Sequence, residues 1–245
     1  LMPAKKRNGN GSQSGIGSMS NKQLKRKKPV NSDVMVDIKP LTKSQEKFFE
    51  EYKKSYGTCD FLIHAVAFAN RDDLMGDFSN VTKEGWDLAM GVSAYSLIAL
   101  SRAAKPLMND GGSIIALTYL GGEMYVPNYN IMGVAKAALE ASVRYMAMDL
   151  GKKNIRVNAI SAGTVKTLAA SGIGDFRYIM KWNELNSPLR RNVTQTEVGK
   201  AAMFLLSDLS SGITGENLHV DAGYNIVGMK AEDAPDIDVV TGRKG

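Results

Sequence analysis

The chain has 245 residues, enough for one large α/β domain with a sizeable buried core, and its apolar share of 44% and aromatic share of 7% are ordinary for a globular protein. No stretch approaches a membrane-spanning length of apolar residues, no apolar run follows the positive charges at the start, and the single cysteine, Cys59, excludes an internal disulfide; a cytoplasmic, reducing setting with no membrane partner is the expectation. The net charge of +6 is local, because residues 1–28 carry eight Lys and Arg and no acid, which leaves the rest of the chain slightly acidic.

Residues 1–28 form a basic, Gly/Ser-rich head, expected to be flexible, with Lys5, Lys6 and Arg7 followed by Lys22, Lys25, Arg26, Lys27 and Lys28. No aromatic residue interleaves with these charges, so a nucleic-acid partner is not expected. Residues 29–229 alternate short apolar runs with helix-length patterns. A strand is predicted at Val34–Ile38, a helix over 43–55, a strand at Phe61–Phe68 and a long helix over 82–108. Then come a strand at Ser113–Leu117, a helix over 127–150 opened by Pro127, and a strand at Ile155–Ile160. Helices over 172–184 and 194–207 and a last strand at Asn217–Val220 complete the series; residues 230–245 form a charged tail without periodicity. Strands alternating with helices imply right-handed crossovers and a Rossmann-like, doubly wound parallel sheet in a single domain. Ligands of such sheets sit at the carboxyl ends of the strands.

Chemistry concentrates after the Ser113–Leu117 strand. Tyr129 precedes Lys136 by seven residues, two helical turns, so both side chains are expected on one helix face near that edge. A phenol is a poor acid at neutral pH unless a cation supports its phenolate, and a lysine on the same face could supply that support or bind a ribose. Tyr119, at the end of the preceding strand, can reach the same space. By itself a Tyr/Lys pair at this spacing is more often the edge of an amphipathic helix. Two small-residue stretches strengthen the functional reading: Ser161-Ala-Gly163 at a strand end, where a ligand can approach the backbone, and the loop Thr164–Gly172 beyond it.

From about Val34 to Met229 the chain resembles the short-chain dehydrogenase/reductase superfamily and, within it, the NADH-dependent enoyl-acyl-carrier-protein reductases of bacterial fatty-acid synthesis. Six residues separate Tyr129 from Lys136, where most of the superfamily has three, and this carries the resemblance together with Pro127-Asn-Tyr129-Asn, Lys136-Ala-Ala-Leu-Glu140, Thr167-Leu-Ala-Ala-Ser-Gly-Ile173 and Val220-Asp-Ala-Gly-Tyr224. The resemblance implies reduction of trans-2-enoyl thioesters with NADH, an acyl-carrier-protein-linked substrate and a homotetramer. By the same resemblance Tyr129 hydrogen-bonds the thioester carbonyl, Lys136 holds the nicotinamide ribose and Tyr119 is a second active-site tyrosine. Asp37 and Ile38 are placed beside the adenine and Val66 under the cofactor. Val165, Lys166, Thr167, Leu168 and Ala169 are placed along its nicotinamide end. Met132 and Phe176 would shape the acyl pocket and Ala69 its mouth, and Thr167–Trp182 would form a lid.

Several positions depart from that pattern. Some thirty residues precede Val34, too few for the family's opening βαβ unit, which is expected to be incomplete. Gly11-Ser-Gln-Ser-Gly15-Ile-Gly17 echoes the superfamily's phosphate loop, but no apolar strand leads into it, and a linker is the better reading. Ala65 and Ala67 stand where the family usually has serine and glycine, and Gly174 and Tyr178 where it is often basic. The alternatives are a catalytically silent or truncated member that binds cofactor poorly and a 3-oxoacyl reductase, which the Tyr–Lys spacing disfavours. His64 and His219 are expected to be packed or hydrogen-bonded rather than catalytic, Glu123 and Glu140 to be pairing residues, and no metal site is expected.

Overall fold

A computed structural model describes residues 41–166 and 176–238, all of them within one unit that begins at Lys39. The expected strand at Val34–Ile38 and the basic head lie outside the described residues. Helix α1 (Lys43–Tyr56) leads into strand β1 (Cys59–His64), then α2 (Lys83–Met90), α3 (Ser96–Ala104) and β2 (Met108–Thr118). Helix α4 (Asn130–Leu150) and β3 (Arg156–Ala162) follow, then α5 (Phe176–Asn186), α6 (Gln195–Leu206) and β4 (Asn217–Val220). The strands form one parallel sheet in the order β1-β2-β3-β4.

The middle of the sheet is apolar on both faces, as a parallel sheet covered by helices requires. Ile114, Ala116, Val157 and Ala159 pack under Ala94, Leu97, Leu139 and Val143 of the α3 and α4 side. Ile115 and Ile160 on the other face pack against Leu205, with Val198 and Ala202 of α6 around it. Helix α6 starts where its sequence says it should: the Thr194 hydroxyl accepts from Glu197 N–H and the Glu197 carboxylate accepts from Thr194 N–H, a reciprocal cap. Thr42 and Gln45 make the same arrangement at α1.

The larger departures from the sequence expectation are these. The helix predicted over 82–108 is broken by a π-helical turn at Gly91–Tyr95, whose Ser93 side chain binds the backbone of Phe68. Strand β1 ends at His64 instead of Phe68, the following residues having left the ladder. Strand β2 begins at Met108 rather than Ser113: Cys59 pairs with Met108 and Phe61 already with Ser113, so an irregularity absorbs the intervening residues. Helix α4 begins at Asn130 rather than at Pro127, since Asn128 takes a left-handed φ of 57° and Tyr129 is the cap residue.

Candidate active site

A cavity of about 890 Å³ opens at the carboxyl ends of β1, β2 and β3. That is within the range of cofactor and drug-sized sites. Its walls are mostly apolar. The loop after β1 supplies Ala65 to Ala69, the end of β2 supplies Leu117, Thr118 and Tyr119, and the end of β3 supplies Ala162 to Val165. Helix α4 adds Met132 and Lys136, its cap residue Tyr129 joins them, and α5 adds Phe176 and Ile179.

The fold therefore brings together Tyr119, Tyr129, Lys136, Val66, Ala69, Met132, Val165 and Phe176. Lys166 is exposed and stands outside the lining. Asp37, Ile38, Thr167, Leu168 and Ala169 lie outside the described residues, as does the first part of the expected lid.

Tyr119 and Tyr129 meet edge to face, with ring centroids 5.1 Å apart and an interplanar angle of 69°. Tyr129 is only 7% exposed. Burial pushes its hydroxyl far above the ordinary phenol value, and Tyr119 and Glu140 add to the rise. At neutral pH Tyr129 is thus a neutral hydrogen-bond donor. Lys136 is 6% exposed, and its Nζ donates to the Leu117 carbonyl oxygen at 2.7 Å. Burial lowers its pKa to about 8, although Glu140 one turn along the helix works in the opposite direction. The Lys136 hydrogen bond goes to Leu117 of β2, and burial disfavours a Tyr129 phenolate.

Close packing sets where these side chains stand. A Cβ on Gly121, just after Tyr119, would lie 2.4 Å from Cδ1 of the Tyr129 ring, and one on Gly133 of α4 would lie 2.7 Å from the Gly121 carbonyl oxygen. Only glycine allows the turn after β2 to lie against α4 this closely. Beneath it the Thr118 hydroxyl donates to Glu140 Oε1 at 2.5 Å; burial raises the Glu140 carboxyl, and this bond offsets part of that.

Thr164, given no role of its own by the sequence beyond opening a small-residue loop, lines the cavity. Burial raises the Tyr119 phenol, and the neighbouring Thr164 side chain counters part of that rise. The Thr164 Oγ accepts from Asn183 Nδ2 of α5 at 2.5 Å. A polar chain thus runs from the end of β2 through the loop after β3 to α5. His64, at the last position of β1, is buried; its Nε2 lies 2.7 Å from Ser96 Oγ, which in turn donates to the Val92 carbonyl oxygen at 2.6 Å. Burial and the nearby Lys136 lower its pKa to about 4, against a smaller backbone contribution, so it is a neutral packed residue. His219 and Asn217 of β4 both bind Glu123 Oε1, at 2.9 and 2.6 Å. Among the described residues no group of His, Cys, Asp and Glu could hold a metal ion, and no helix is long and apolar enough to cross a membrane.

Three comparisons bear on this site. A family model described as Enoyl-(Acyl carrier protein) reductase matches residues 17–225. The enoyl-[acyl-carrier-protein] reductase [NADH] 1 of Rhizobium meliloti is 59% identical over 192 residues, covering 78% of this chain and 71% of its own. An enoyl-[acyl-carrier-protein] reductase [NADPH] of Staphylococcus aureus is 58% identical over 179 residues, covering 73% of this chain and 70% of its own. The crystal structure of the Anaplasma phagocytophilum reductase in complex with NAD superposes with a TM-score of 0.76 at 50% identity, covering 80% of this chain and 73% of that one.

Proposed function

The chain belongs to the enoyl-[acyl-carrier-protein] reductase family, and from that premise we propose that it reduces trans-2-enoyl thioesters of acyl carrier protein with NADH during fatty-acid elongation. The observation that carries this reading is the placing of Tyr119, Tyr129 and Lys136 on one cavity at the carboxyl edge of a parallel sheet. The cavity fits a nicotinamide cofactor: it is large enough, its floor is built from small residues such as Ala65, Ala67, Ala162 and Gly163, and Lys136 reaches it with N–H donors beyond the one given to Leu117. When bound, NADH supplies the hydride that the β carbon of the enoyl group accepts.

The residues of the chain do the rest. Negative charge gathers on the thioester carbonyl oxygen as the double bond is reduced. The buried, protonated Tyr129 is a donor suited to that oxygen, and Tyr119 packs on its ring and limits its rotation. Donors of this type contribute on the order of 3 kcal/mol in a water-poor site. Lys136 would bind the nicotinamide ribose, Val66 would lie beneath the cofactor, and Val165 with Lys166, Thr167, Leu168 and Ala169 would follow its nicotinamide end. Asp37 and Ile38 would meet the adenine. Met132 and Phe176 would shape the acyl site and Ala69 its mouth. Arg177 and Lys181 on α5 offer positive charge to an acidic carrier protein.

A homotetramer and a cytoplasmic setting complete the proposal, the latter in keeping with the free thiol of Cys59. The test is kinetic, on a crotonyl thioester. Tyr129→Phe should lower kcat by about a hundredfold with little change in NADH affinity. Lys136→Ala should instead weaken NADH binding, read by cofactor fluorescence. A wild-type chain that binds no NADH would favour a catalytically silent family member.

A further inference from the structure

The wall of the cavity formed by Ala65, Val66 and Ala67 has no strand or helix of its own to hold it. Backbone polar groups in such a segment need partners, and an unheld segment would drift. The structure supplies a partner at each end. Ser93, 0% exposed in the π-helical turn, meets Phe68 twice: its hydroxyl donates to the Phe68 carbonyl oxygen at 3.0 Å and accepts from the Phe68 N–H at 2.9 Å. Ser96 holds the other end. Its hydroxyl donates to the Val92 carbonyl oxygen, which can only accept, so it accepts the proton of His64 Nε2 at 2.7 Å. Ser96 grips the last residue of β1, and Ser93 grips Phe68, which itself lines the cavity.

A π-helical turn carries an extra residue against the regular helical repeat and marks functional sites more often than ordinary helix does. Here the extra residue lets a single helical stretch direct both serines at β1 and its loop, while Ala94 and Leu97 still enter the core beside the sheet. Resting on the cofactor reading above, we propose that Ser93 is a positioning residue for cofactor binding: through its two-bond grip on Phe68 it fixes the backbone of residues 65–68 in the shape that receives the nicotinamide cofactor. Ser96 completes the clamp by holding His64. Neither serine lines the cavity, so both act through the loop.

Another serine of the same helical stretch provides the control. Ser101 of α3 is also fully buried, but its hydroxyl has no hydrogen-bond partner and it does not line the cavity. Ser93→Ala should raise the NADH dissociation constant and the KM for NADH by about tenfold, while kcat at saturating NADH stays within about twofold of wild type. Ser101→Ala should leave both constants unchanged. Ser93→Cys, which keeps a weak donor and acceptor in nearly the same volume, should fall between, and it carries the test if the alanine variant does not fold. Ser93 variants that bind NADH as tightly as wild type would overturn the proposal while leaving the enzymatic reading intact. A wild-type chain that does not bind NADH would overturn both.

Discussion

His64 shows how much a single buried side chain ties stability to pH. Its folded pKa of about 4 lies below the roughly 6.5 of an exposed histidine. Between those two values the unfolded chain binds more protons than the folded one, so stability falls as pH drops through that window and is fully present above it. The full shift corresponds to roughly 3 kcal/mol. Burial is the main cause, and Lys136, whose charge opposes a second cation nearby, is the other. His64→Gln keeps a donor for Ser96 and removes the titration. Urea midpoints measured from about pH 7 down to about pH 4.5 should fall more steeply for the wild type than for the variant. Parallel curves would assign the acid sensitivity to other groups.

At the scale of elements, the repeating pattern of the chain was legible and its interruptions were not. Strand β2 carries the apolar run Ile114-Ile-Ala-Leu117 between Ser113 and Thr118, and the helix expected over 194–207 stands as α6. The π-helical turn at Gly91–Tyr95 left no such mark; its Ser93 bonds a loop 25 positions earlier, a contact that no local pattern announces. Asn128 misled in the opposite sense: Pro127 promised a helix start, and the left-handed asparagine after it delayed the helix to Asn130. The candidate site divides the same way. Tyr129 and Lys136 could be paired by counting along the chain, whereas Thr164 joins Tyr119 to Asn183 only once three elements have folded together. Buried hydroxyls of this kind have no periodicity to betray them.

Across the whole molecule, the apolar surface not used by the core is as informative as the core itself. Tyr145 and Met148 of α4, Met203 of α6, and Ile226 and Met229 beyond β4 stay exposed among the described residues. Surface of that kind on two sides of a sheet suits association with further copies of the chain. Light scattering at micromolar concentration should report a mass near four chains, and a monomeric mass would rule out the tetramer. The parallel sheet also directs every strand's carboxyl end to one rim, and there Lys136 holds a proton only loosely, with a pKa of about 8. On the proposed cofactor reading, an anionic dinucleotide settling on that rim would draw the lysine back toward its ordinary, higher value. Above about pH 8, binding must then be accompanied by uptake of a proton from the solvent. Affinity should weaken toward a tenfold loss per pH unit there, and the calorimetric heat of NADH binding should depend on the ionisation enthalpy of the buffer at about pH 9 but not at about pH 6.5. A binding heat independent of buffer at both values would mean that the lysine keeps its proton throughout. Otherwise, above about pH 8, the enzyme takes up a proton from the solvent as it loads its reductant.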